Sequence, residues 1–86
     1  MERKRYLELC QKCAVLDEGV LGIKKNVPEE LQVEYDGIVW YPEKYVLSFE
    51  KKTGNVVHTA VLHSLSANST VEAELEKVKE VKKDEN

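Results

Sequence analysis

The stretch VEYDGIVWYPEKYVLSFEKKTGNVVHTAVLHSL, residues Val33–Leu65, decides the fold. It carries Tyr35, Trp40, Tyr41, Tyr45 and Phe49, five of the six aromatics, together with most of the β-branched residues, and so reads as sheet. Three antiparallel strands are expected: Val33–Tyr41, Lys44–Glu50 and Val56–Leu65. Pro42-Glu43 is read as the first turn. Lys51–Asn55 is read as a hairpin loop in which Gly54 and Asn55 take positive φ.

Side chains alternate along a strand, so the two faces can be separated. One face collects Val33, Tyr35, Val39, Tyr41, Tyr45, Leu47, Phe49, Val57, Val61 and Leu65, and is expected to be core. The other collects Ile38, Trp40, Val46, Val56, Ala60 and Leu62. A half-solvated antiparallel sheet should alternate between apolar and polar. This one is apolar both ways, so both faces need cover. Either the sheet curls into a small barrel or a second copy or partner covers it. Ile38, Trp40, Val46 and Leu62 are the candidate interface, with Trp40 as the anchor.

Outward from the sheet, Glu2–Leu16 reads as a helix with Tyr6, Leu9, Cys10, Cys13 and Leu16 on one stripe. A helix of about 15 residues is marginal alone, so the stripe must dock. Gly19–Lys25 is a connector whose Val20, Leu21 and Ile23 are expected to pin it down. Asn26–Leu31 reads as a short helical turn with Pro28 near its start. Thr70–Leu75 fits a fourth strand by alternation and a helix by the Val71, Leu75, Val78 spacing. Lys82–Asn86 is a charged end expected to fray.

The whole chain, residues 1–86, reads as a single domain with a helix over 2–16 and a sheet over 33–75. Its formal net charge is −3, so nucleic-acid binding would need a local basic patch. Lys44, Lys51 and Lys52 near the aromatics form one such candidate. No apolar run approaches the about 20 residues of a membrane span. The start, Met1-Glu2-Arg3-Lys4-Arg5, lacks a following apolar region, so a cytoplasmic location with reduced cysteines is expected.

Cys10-Gln11-Lys12-Cys13 matches a CxxC pattern, and His58 and His63 could complete a zinc site. Against it, there is no second CxxC, and the span from Cys13 to His58 far exceeds a compact finger. An odd separation on a strand also points the two histidines to opposite faces. The cysteines are therefore read as apolar members of the helix stripe, with no metal and no cofactor. No nucleophile–base spacing is legible, so the chain is not expected to be an enzyme.

The runs Tyr6–Cys10, Asp36–Pro42, Tyr45–Phe49, His58–His63, Ala67–Ser69 and Leu75–Val78 resemble small proteins encoded by phages and prophages of Gram-positive (Firmicutes) bacteria. That family carries no assigned activity, and so supplies no catalytic residues. The resemblance implies a cytoplasmic, phage-related context. It also tips Thr70–Leu75 toward a strand, with a Leu-x-x-Val ending like that of SH3-like barrels.

The expectation is an α+β fold: an N-terminal helix packed on a four-stranded antiparallel meander that can curl into an SH3-like half-barrel. The expected function is a non-enzymatic interaction module that forms a homo-oligomer or binds a host or phage protein. The alternative is a nucleic-acid or nucleotide binder, for instance one that inhibits a host defence system.

Overall fold

In the computed structural model, which describes residues 1–81, one helix precedes a five-stranded antiparallel sheet, an α+β arrangement. Helix α1 spans Arg3–Ala14. The strands are β1 (Val33–Tyr35), β2 (Ile38–Phe49), β3 (Val56–Ser64), β4 (Thr70–Glu74) and β5 (Lys79–Glu80). Their order across the sheet is β4-β3-β2-β1-β5. The charged end expected over Lys82–Asn86 lies outside the described residues.

Helix α1 forms because Tyr6, Leu9 and Cys13 recur at helical spacing, and all three are fully buried. They share one core cluster with Leu31, Val33, Tyr41, Leu62, Leu75 and Val78. The helix stops two residues before the expected Leu16, and Val15 is largely exposed. Tyr6 ties helix to sheet, since its hydroxyl lies 2.9 Å from the Val61 carbonyl and 3.1 Å from that of Lys44.

Two corrections concern the first expected strand. Val33–Tyr41 is not continuous, because Asp36 and Gly37 both take positive φ (56° and 75°) and turn the chain into a two-residue hairpin. Asp-Gly is the strongest short hairpin signal, since its left-handed turn matches the twist of the flanking strands. Pro42-Glu43, in contrast, does not turn. Tyr41 pairs with His63 and Pro42 with Leu62, but Lys44 then pairs with Val61, so one extra residue is inserted as a β-bulge. The chain continues through it as the single strand β2. The sheet thus has five strands, not four.

These two features redistribute the faces. Directly paired residues lie on the same side of a sheet. The register therefore puts Val33, Tyr35, Ile38, Trp40, Tyr45, Leu47, Phe49, Val56, Ala60, Leu62 and Ala73 together. Tyr41, Val46, Val57, Val61 and His63 lie on the other side. The expected grouping of Tyr45, Leu47 and Phe49 with Tyr41 is reversed, because one inserted residue flips everything beyond it. Leu62, expected on the minor face, is fully buried in the chain's own core.

The sheet also curls. β4 and β5 are its two edges, yet only Leu75–Val78 joins them, and Leu75–Lys77 is a compact 3₁₀ turn. A flat five-stranded sheet would separate its edges by about 19 Å, whereas three residues of 3₁₀ helix advance about 6 Å. Leu75 and Val78 are buried as they make this crossing.

The connector is pinned differently from expectation. Val20 is fully exposed and Leu21 largely so. Polar groups hold the segment instead: the buried Lys24 ammonium reaches the Leu16 carbonyl at 3.3 Å and Glu18 at 3.4 Å. The Tyr41 hydroxyl is 3.4 Å from the Gly22 carbonyl. The expected turn over Asn26–Leu31 is present as a 3₁₀ turn at Glu29–Leu31, with Leu31 buried.

Candidate functional site

Beyond the bulge, β2 and β3 outrun their neighbours. β1 pairs only with Ile38–Trp40, and β4 only with Thr59–His63. The remainder, Val46–Phe49 against Val56–His58, is a two-stranded arm closed by Lys51–Asn55. The loop is held by the Gly54 amide on the Glu50 carbonyl (2.8 Å) and the Glu50 amide on the Asn55 carbonyl (2.9 Å). Gly54 sits at φ 73°, the conformation for which glycine is suited, whereas Asn55, expected to share it, does not take positive φ.

The arm extends the face that forms the core, without the core beneath it. Leu47 is 54% exposed, Phe49 65% and Val56 51%. Phe49 lies opposite Val56, and Leu47 opposite His58. Tyr45 stacks on His58, with its hydroxyl hydrogen-bonded to Nδ1. Beside this face runs an open groove of about 550 Å³ whose walls include Met1 and Arg3 from the start of the chain, Val56 and His58 from β3, and Leu75 and Glu76.

The four residues expected to form one interface do not share a surface. Ile38 is 54% exposed, beside Tyr35 on the first hairpin. Trp40 is half-buried, its indole N–H donating to the Tyr35 carbonyl at 3.2 Å. Val46 is on the opposite face, and Leu62 is core. Lys44, Lys51 and Lys52 are all exposed along the arm and its tip, interleaved with Glu43 and Glu50, which are exposed too.

The cysteine–histidine set is dispersed. His58 and His63 are on opposite faces of β3, and among the described residues no three His, Cys, Asp or Glu side chains are arranged to hold a metal. Burial pushes the Cys10 thiol up to about 11, against a smaller lowering by its hydrogen bond with Tyr6. Burial raises Cys13 too. A redox or nucleophilic cysteine needs the opposite shift.

One buried polar group stands out. Both ring nitrogens of His63 are buried without a hydrogen-bond partner. The ring stacks on Tyr41 at 4.9 Å, and its Nδ1 is 3.9 Å from Glu43, beyond hydrogen-bond reach.

Comparison with protein-family models, curated proteins and solved structures finds no match to this chain. Function must therefore be argued from the arm itself. Two signals in the sequence could have located it: Asp36-Gly37 as a turn, and a proline inside a strand as a bulge.

Proposed function

We propose that the chain is a non-enzymatic interaction module of the phage or prophage accessory kind, built as an SH3-like half-barrel, and that it associates through the arm. The observation that carries this reading is the arm's apolar face: Leu47, Phe49 and Val56 are each more than half exposed, on strands whose outer edges have no partner there among the described residues. A long edge with apolar side chains is a template for pairing with another strand. The five-stranded order and the 3₁₀ turn between its edges support the half-barrel reading. The interface thus moves from Trp40 to the arm, and its partner is a second copy or a host or phage protein.

The test is the solution mass of the wild type and of a Leu47→Ser/Phe49→Ser variant from micromolar to millimolar concentration. The expected result is a mass above one chain that falls to one chain in the variant. An association that the variant leaves intact would overturn the arm as its site.

A nucleic-acid binder is the second reading, favoured by the exposure of Lys44, Lys51 and Lys52 along the same arm that exposes Phe49. Three phosphate contacts to a single strand would give a log–log salt slope of about −2. Binding that is absent, or flat with salt, removes this reading.

A further inference from the structure

We propose that two copies of this chain pair edge to edge along β2, antiparallel, about a two-fold axis at Leu47. The proposal rests on the reading of the arm as an association surface, and names its partner and register. The edge is free. β1 accompanies β2 only to Trp40, and Val46–Glu50 are all exposed. Alternate amides and carbonyls along such an edge point outward without partners.

The sequence on that edge is complementary to itself. With Leu47 opposite its own copy, Tyr45 faces Phe49, Val46 faces Ser48, and Lys44 faces Glu50. By two-fold symmetry each unlike pair occurs twice. The charges then pair on one face, while the aromatics and the two leucines pair on the other.

The registers centred on Ser48, Val46 and Tyr45 fail. A two-fold axis perpendicular to the sheet keeps each side chain on its own face, so the axis must pass through a residue and not between two. Centred on Ser48, Lys44 would face Lys52, a like-charge pair. Centred on Val46, Pro42 and the bulge would enter the ladder opposite Glu50. Centred on Tyr45, the partner's Glu50 would collide with Trp40, whose edge β1 already occupies. The Leu47 register instead leaves Tyr41–Glu43 clear, about 10 Å in which the partner's Lys51–Gly54 loop can turn away.

The test is charge reversal and proximity on the full chain, all at exposed positions, with circular dichroism confirming the fold. K44E and E50K each place like charges at both symmetric pairs, and each is expected to weaken association about tenfold. The K44E/E50K double variant is expected to restore it. L47C is expected to yield a dimer cross-linked at position 47 by a short thiol reagent, with the wild type, which carries Cys10 and Cys13, as control. Association that depends on Leu47 and Phe49 but ignores charge reversal, and gives no cross-link at position 47, overturns this register and leaves the interaction reading standing. A chain that stays single alone, and whose arm amides gain exchange protection only beside a foreign protein, overturns the second copy as partner.

Discussion

Replacing Tyr6 by Phe tests how the helix is joined to the sheet. The Tyr6 ring is fully buried, and Phe keeps its volume, so no cavity opens. What is lost is one O–H donor shared between the Val61 carbonyl at 2.9 Å and the Lys44 carbonyl at 3.1 Å. These carbonyls flank the bulge, where the β2–β3 ladder is interrupted. The Lys44 carbonyl lies in a partly buried contact and can turn to water, but the Val61 contact is buried. A net hydrogen bond of about 1 kcal/mol, plus part of the cost of an unsatisfied buried carbonyl, gives a loss of about 2 kcal/mol. For a domain this size that is a fall in Tm of about 10 °C. Urea unfolding should show a lower midpoint at unchanged slope. pH gives a second readout. Burial holds the Tyr6 hydroxyl well above its ordinary value, so it stays neutral in the folded chain. On unfolding it ionises near about 10. Its contribution is therefore complete below that pH and is lost as pH rises beyond it, so the gap between wild type and Tyr6→Phe narrows in strong alkali. A variant within about 0.5 kcal/mol of wild type at neutral pH would refute the reasoning, because a surface substitution does no more than that.

Three substitutions and one reaction probe the same structure. Leu62→Ala should cost about 2–5 kcal/mol and Ile38→Ala under about 1 kcal/mol by urea unfolding, since Leu62 is fully buried and Ile38 is 54% exposed; equal losses would mean the faces are misassigned. Gly37→Ala meets open space at its new Cβ, so only the φ of +75° penalises it; a loss of about 1–2 kcal/mol is expected, and none at all would deny the positive-φ turn. With its thiol pushed up to about 11, Cys10 should alkylate at pH 8 about a hundred-fold more slowly than a thiol at the ordinary 9.0, and labelling as fast as that of a free thiol would refute its burial.

Much of the architecture was legible because it rests on local pattern. The Tyr6, Leu9, Cys13 stripe needs only helical spacing, and it located α1 to within two residues. The Lys51–Asn55 loop needs only a glycine at positive φ between apolar runs. Thr70–Glu74 was ambiguous by pattern, and is a strand because Ala73 and Val71 pair with Ala60 and Leu62. That contact is invisible to a window of neighbours. Strand β5 is two residues long and exists only through its pairing with Val33 and Glu34, so it leaves no periodic trace. The faces went wrong for a different reason. Alternation propagates one error along the rest of a strand, and here a missed Asp-Gly turn and a proline read as a turn rather than a bulge each flipped a segment. Leu62 was therefore placed among the candidate interface residues while Leu47 and Phe49 were assigned to the core.

The bulge also bears on why an arm exists at all. A sheet that served only this core could end β2 near Tyr45 and begin β3 near Ala60, the limit of contact with β4 on that side. Instead β2 runs for 12 residues, about twice a typical strand. Ordering each added residue costs about 1–2 kcal/mol of conformational entropy, and a two-stranded ribbon alone returns little of it. Without the bulge, Leu47 and Phe49 would lie on the side of Tyr41. With it they continue the face of Trp40, Ala60 and Leu62 outward past the buried core. The chain thereby carries core-type side chains, in core register, to a place where the described residues leave them more than half exposed. Intrachain packing gives little return for that length. The proposed pairing with a second strand supplies one, because it adds ladder hydrogen bonds along the edge and neighbours for the exposed side chains together.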